Sequence, residues 1–465
     1  MLIPPCLFAS CKTLGPRLKK VLFITYYFPP SGGPGVQRIL RFLNTLPDLG
    51  WQPVVLTVEN GDYPVLDTSL QAKIPTGVEV CRTYIPEPYR LYRKFTHREA
   101  GTAVDLSALS VSDRAHVSFK ERVALFLRNW LFIPDARAGW LPFALRAGLR
   151  VVKQHKIDLI FSSAPPNTVH LVGYWLRQLT STPWVADFRD PWFKYLVPER
   201  RGLIPRKLDA ALGRWVVRHA DRLIFVCDGV RSEMLQAFPE GFGGRETIIT
   251  NGYNQADFAG LVAETQTHFT LTYVGSFFSR YDLSALIQAL DHLVSTRPDF
   301  SEDFRLVFCG TVETSVRERL EASRFSHNLE FLGYQDHKTT LTKMVSSTLL
   351  LLYIMDTVEG RNIPTSKLFE YLGARRPILA LAPEESDAGR ILQKTGAGVL
   401  VAPRDRQAIE KTIIGRYLNW QAYGRRLPAL EGSEVERFEG AQLAKKLVQV
   451  WDGLEQAHGS VARNN

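Results

Sequence analysis

Lys367 and Glu370 stand three residues apart in NIPTSKLFEYLGARRPILAL (362–381). The stretch predicts a short helix, opened by polar residues and closed by Gly373, that runs into a buried strand. Residues three apart share one helical face. As a mere ion pair they would contribute only about 0.2–0.5 kcal/mol. A capping box needs Ser or Thr three residues before the Glu, but Thr365 and Ser366 stand three before Leu368 and Phe369. A ligand is the third use for an acceptor-only carboxylate beside a donor-only ammonium.

Three other stretches bring chemistry to the ends of predicted strands. In YYFPPSGGPGVQR (26–38), Gly32, Gly33 and Gly35 follow a strand and precede a helix. Exposed N–H groups there could meet a phosphate or sugar, although any tight strand-to-helix turn welcomes glycine. In VADFRDPW (185–192), Asp187, Arg189, Asp190 and Trp192 lie where open α/β sheets bind ligands. An internal Asp–Arg network is the competing reading. In TYVGSFFSRYDLSALIQAL (272–290), the turn after Gly275 and the side chain of Arg280 suit a diphosphate. Arg280 reads equally well as a solvated surface charge.

Composition narrows the field without choosing a substrate. The 465 residues imply two or three domains, and 45% hydrophobic with 22% charged residues is the balance of a water-soluble globular chain. With 57 Lys and Arg against 47 Asp and Glu, the charge of +10 favours anionic partners such as nucleotides or a membrane surface. Five scattered cysteines without a CxxC argue for a reducing cytoplasm and against a zinc site. No D-x-D, P-loop or G-x-S-x-G is present, and no nucleic-acid motif accompanies the basic residues, so neither metal nor nucleic acid is expected. No apolar run reaches the length of a spanning helix.

Positioning these groups falls to thirteen short apolar runs, most of them separated by amphipathic segments. Seven precede the polar stretch 254–268 and six follow it. Runs apolar almost throughout are those of strands covered on both faces, so two doubly wound parallel sheets are expected. The division is a leader at 1–19, a first domain at 20–258, a second at 259–434, and a terminal helix and tail at 435–465, the helix over 435–456. An aromatic and basic insertion at about 86–156 interrupts the first domain. Phe119, Val123, Phe126 and Trp130 share a helical face there, readable as core packing or as an interfacial membrane contact.

In this order, YYFPPSGGPGVQR, FRDPW, NGY (251–253), YVGSFFSR and SKLFEYLGARRPIL resemble the family 4 (group 1) glycosyltransferases, and IPDARAGW (133–140), SSAPPNTVHLVG (162–173) and WVADFRDPW (184–192) resemble a bacterial subset of it acting in surface-polysaccharide assembly. The resemblance implies a GT-B fold: two Rossmann-like domains facing a cleft, the C-terminal helix crossing back to the first. It implies transfer from a nucleotide-sugar, UDP foremost, to a hydroxyl of a glycan or lipid-linked acceptor at the inner face of the plasma membrane. Retention of configuration and independence of metal or other cofactor follow from the same likeness. Glu370 takes the position of the family's ribose-binding Glu, with Lys367 one turn earlier. Gly275, Ser276, Arg280, Gly310 and Tyr334 belong to the nucleotide-sugar side and Gly32 and Gly33 to the glycine loop. Asp190, Arg189 and Glu359 are the catalytic candidates. The chain departs from the family pattern in three places: Asn362 stands for its first Glu, with Glu359 three residues away; Ser276 and Tyr281 stand for the Arg and Lys of an Arg-x4-Lys pair, with Arg280 one residue short of the Lys position; and Arg189–Asp190 stands for a His–Asp pair. Two other readings are a UDP-sugar 2-epimerase, which would need no acceptor, and an inactive nucleotide-sugar or membrane-surface scaffold, which would bind without turnover.

Overall fold

The computed structural model describes residues 17–87, 133–193, 202–264, 267–362, 364–426, 430 and 433–462. All thirteen expected strands form, in two wholly parallel sheets. The first comprises β1 (Lys19–Ile24), β2 (Trp51–Val58), β3 (Glu79–Thr83), β4 (Leu159–Ala164), β5 (Trp184–Phe188), β6 (Arg222–Phe225) and β7 (Glu246–Ile248). Its order is β3-β2-β1-β4-β5-β6-β7. The second comprises β8 (Phe269–Val274), β9 (Phe304–Cys309), β10 (Leu329–Gly333), β11 (Leu349–Tyr353), β12 (Ile378–Leu381) and β13 (Gly398–Val401), in the order β10-β9-β8-β11-β12-β13. Strand order reverses beside β1 in one sheet and beside β8 in the other, which opens a crevice at their carboxyl ends.

Successive side chains of a strand point to opposite faces, and here both faces are covered. Leu22 and Ile24 of β1 face helices α2 (Leu141–His155), α3 (Thr168–Thr180), α4 (Leu203–His219) and α5 (Asp228–Ala237). Val21 and Phe23 face α1 (Pro34–Thr45) on the other side. A short α6 (Gln255–Phe258) leads to the second domain. There α7 (Ser284–Thr296) and α14 (Arg406–Ala422) cover one face, with α8 (Pro298–Asp303) and α9 (Thr314–Glu321) beside them. Across the sheet, α10 (His337–Val345), α12 (Ser366–Ala374) and α13 (Asp387–Thr395) cover the other, after a short α11 (Val358–Asn362).

The last helix, α15 (Gly440–Ala462), returns to the first domain. Its Trp451 is fully buried, with ring centroids 4.9 Å from Trp51 and 5.9 Å from Phe161. The outgoing and returning segments lie side by side: Tyr253 N donates to Phe438 O at 3.0 Å and Gly440 N to Tyr253 O at 2.9 Å. A Cβ on Gly252 would fall 2.2 Å from Phe438 O, so this crossing needs glycine.

Several boundaries differ from the expectation. β1 begins at Lys19, inside the stretch read as leader, because Lys19 pairs with Asp452 at 3.1 Å and its N–H joins Gly50 O. The terminal helix starts at Gly440, with residues 433–438 forming a 3-10 turn. Gly373 lies inside α12 rather than closing it; a Cβ there would fall 2.5 Å from Phe258, and Arg375 takes the left-handed turn at φ 54°. The second half of the supposed insertion is α2, the crossover helix between β3 and β4, whereas Phe119, Val123, Phe126 and Trp130 lie outside the described residues.

Candidate functional site

Helix α12 opens with Thr365, whose hydroxyl accepts the N–H of Lys367. Leu368, Phe369, Tyr371 and Leu372 bury its other side, which leaves Lys367 and Glu370 partly exposed on one face. They form no ion pair with each other among the described residues. Lys367 Nζ donates to Tyr273 OH at 2.6 Å and lies 4.5 Å from the centre of that ring. Burial pushes its ammonium down to about 8, while Glu370 acts in the opposite sense. Glu370 instead faces His337 Nε2 at 3.9 Å.

Tyr273 precedes the turn that ends β8, and its hydroxyl donates to Ser276 O at 3.0 Å. Gly275 adopts φ +102°, and a Cβ there would lie 2.5 Å from Lys367 Cε. Gly310, at φ +139°, comes so near that its Cβ would fall 2.4 Å from Gly275 O. Two strand ends therefore meet without side chains directly under an ammonium. The Gly275 N–H is spent on Cys309 O at 2.7 Å and the Phe277 N–H on Thr311 O at 2.8 Å, so what suits this place to an anion is the ammonium above it, to which the N-terminus of α12 adds its dipole.

Ser276 and Arg280 are exposed beyond this turn, with the Arg280 guanidinium 4.5 Å over Phe278 and 5.7 Å over Tyr281. Tyr334, just after β10, is 85% exposed. Glu359 lies in α11, and its side chain is outside the described residues. Asn362 reaches the other domain: its Nδ2 donates to Glu233 Oε1 at 2.9 Å, and Cys227 Sγ donates to its carbonyl at 3.0 Å. Beside it Gly229 N, at the start of α5, donates to Asp387 Oδ2 at 3.0 Å.

The first-domain candidates divide. Gly33, at φ +104°, begins α1 with Pro34 behind it, and Gly32 N donates to Val65 O at 2.9 Å. Asp190 is partly exposed at the carboxyl end of β5. Arg189 is buried: it donates to Ala164 O at 2.9 Å and Pro165 O at 2.8 Å, and a Cβ on Gly35 would fall 1.5 Å from its guanidinium. It thus braces the first turn of α1. Asp187 pairs not with Arg189 but with Arg38 at 2.8 Å, both fully buried, and Ser163 Oγ adds a third bond at 2.7 Å. Arg38 also donates to Ile249 O and Thr250 O, which ties α1 to the interdomain linker.

A cavity between the domains joins Glu370 and His337 to Asn254 and Asp257 of the linker and to Gln37 and Arg41 of α1. Burial and Arg38 push Arg41 down to about 10, opposed by Glu370, Asp257 and Glu439. Tyr273, His337, Gln37 and Arg41 were not singled out in the sequence. Tyr273 had one readable signal, an aromatic two residues before the strand-end glycine; the others are brought in only by interdomain packing.

Residues 32–252 match the family model described as Glycosyl transferase 4-like domain, and residues 268–419 match Glycosyl transferases group 1. No curated protein matches the chain in sequence. Among solved structures, sucrose-phosphate synthase from Thermosynechococcus elongatus superposes with a TM-score of 0.58 at 16% identity, over 94% of this chain and 100% of that one. A trehalose-6-phosphate synthase reaches 0.58 at 13% identity, over 94% and 99%. A lipopolysaccharide outer core galactosyltransferase reaches 0.51 at 12%, over 93% and 99%. At such identities the likeness speaks for the fold alone, and that fold is GT-B.

Proposed function

Because this chain belongs to the glycosyltransferases, with a 4-like first domain and a group 1 second domain, we propose that it moves a sugar from a nucleotide-sugar, UDP foremost, to a hydroxyl of a glycan or lipid-linked acceptor. One observation carries the reading. α12 presents Lys367 over the bare Gly275–Gly310 turn and Glu370 to the interdomain cavity, and the two side chains do not consume each other.

In this reading the diphosphate lies on the Gly275 turn and the ribose hydroxyls donate to Glu370, an arrangement suited to an acceptor-only anion. As the sugar–oxygen bond lengthens, positive charge gathers on the sugar and negative charge on the departing phosphate. Lys367, the N-terminal dipole of α12 and, beyond the turn, Arg280 stabilise the latter. These cations are why we propose a metal-independent transfer. The leaving phosphate takes the acceptor's proton, Asp190 orients the acceptor from the first domain, and the anomeric configuration is retained. Closure of the domains excludes water and so limits hydrolysis.

The test is calorimetric titration of the chain with UDP, GDP, ADP and dTDP beside Glu370→Ala. A charged hydrogen bond contributes about 1.5–3 kcal/mol. The variant should therefore lose roughly tenfold to hundredfold in affinity for the preferred nucleotide while remaining folded. Absence of binding to all four by well-folded protein would overturn the assignment.

A further inference from the structure

Helices α2, α3 and α4 form one layer over the first sheet, packed through Ala144, Val151, Val172, Leu176, Val216 and Val217. The outward side of that layer has an unusual composition. In all three helices the sole acidic residue is Asp209, which is buried and accepts from Trp192 Nε1 at 3.0 Å. Arg177 is neutralised by Asp221 and Arg214 by Glu240, each at 2.8 Å. Arg146, Arg150, Lys153, Arg206, Lys207 and Arg218 are exposed and have no ion pair among the described residues.

Large apolar side chains stand among these cations. Leu203 is 74% exposed, Ile204 67%, Leu179 57%, Leu208 50%, Trp215 49% and Trp175 40%. Ile204, Leu208 and Trp215 follow one another along a single stripe of α4. Tyr174 links the two tryptophans, 5.2 Å from Trp175 and 6.1 Å from Trp215 between ring centroids. Isolated exposed leucines need no explanation, but a stripe of large apolar side chains along one helix, set among cations of a single sign, does.

We propose that the outer face of α2, α3 and α4 docks on an anionic membrane, its leucine, isoleucine and tryptophan side chains entering the headgroup layer between lysine and arginine contacts to lipid phosphate. Tryptophan at that depth and cations able to reach the phosphates are the two chemistries such a surface recognises. The position also has a use. A helix that follows a parallel strand begins at the strand's carboxyl end, so Leu203 and Ile204 of α4 lie on the side of Asp190. At the start of α2, the exposed Phe143 meets Tyr84, just beyond β3, at 5.4 Å. A lipid-linked acceptor would thus reach the cleft from the docked surface. The docking face stands whether or not the transferase reading does, and rests on that reading only for this purpose.

The test is sedimentation of the full chain with vesicles of phosphatidylcholine alone or with 30 mol% (about one lipid in three) phosphatidylglycerol. Binding is expected only to the anionic vesicles and should fall as salt rises. Arg206→Gln, Lys207→Gln and Arg218→Gln together should weaken partition about 100-fold, since each cation near the surface contributes about 1 kcal/mol. Leu203→Ser with Ile204→Ser, both at highly exposed positions that do not hold the fold, should weaken it about tenfold. Equal binding to neutral vesicles, unchanged partition in both variants, or a wild-type dimer that either variant dissociates would overturn the proposal, the last assigning the face to a second copy. Nucleotide titration of the same variants keeps the two readings separate. Vesicle binding without nucleotide binding removes the transferase site and leaves the docking face.

Discussion

A lysine that burial holds at about 8 is a destabilising residue in the chain by itself. Its ordinary value is near 10.5, so between about 8 and 10.5 the folded chain binds fewer protons than the unfolded one. Stability then rises with pH across that window, and below about 8 the buried charge costs the fold its full penalty. Lys367→Met should therefore raise unfolding free energy at pH 7 by about 2 kcal/mol, a gain that vanishes towards pH 10.5; denaturant titrations at both pH values check this. The same variant should lower turnover about 100-fold. In the wild type, kcat/KM should fall as pH passes about 8, and the variant should lose that limb. A bound diphosphate supplies the missing counter-charge, so the residue that destabilises the free chain is the one the proposed substrate rewards. At this scale the sequence was only partly legible. Glu370 and Lys367 could be found from spacing and family likeness, but the partners that separate them, Tyr273 and His337, come from β8 and α10. Arg189 looked like a site residue from its place beside Asp190 at a strand end; only its bonds to Ala164 O and Pro165 O and the approach of Gly35 to its guanidinium show it bracing the fold.

Among elements, the strand ends do most to shape the candidate site. Gly275→Ala would need a side chain at φ +102° and would drive Lys367 from its seat. We expect nucleotide affinity to fall about tenfold or more, with a loss of roughly 1–2 kcal/mol in stability from the strained backbone; parallel titrations of binding and unfolding would separate the two. The strands were the most legible part of the chain, because burial on both faces writes them as apolar runs such as LLLLY (349–353) and ILAL (378–381). Helix ends were less so. Gly373 looked like a terminator but serves as a gap for Phe258, a contact made by residues 115 positions apart and absent from any local pattern.

For the whole molecule, polar bonds join the two domains beside the cleft. Gly229 to Asp387 and Asn362 to Glu233 are among them, and Arg390 also holds Asp387. Removing a charged acceptor from a buried N–H costs about 1.5–3 kcal/mol. Asp387→Ala should therefore shift the balance of closed and open arrangements about tenfold or more towards open. Small-angle scattering should show a larger radius of gyration for the variant, and an unchanged profile would mean that other contacts hold the domains. The twofold division was readable from two series of strands, but the closeness of Asn362 to Glu233 was not, since 129 residues separate them.

The return of α15 also bears on how the molecule is made. Phe23, Trp51 and Phe161 belong to the first half of the chain, yet the indole that covers them is residue 451. At ribosomal speeds of about 5–20 residues per second, that indole is added roughly 20–90 s after β1. Throughout that interval one apolar wall of the nascent first domain lacks its cover. Of the two domains, the one whose strands are made first is thus the one completed last.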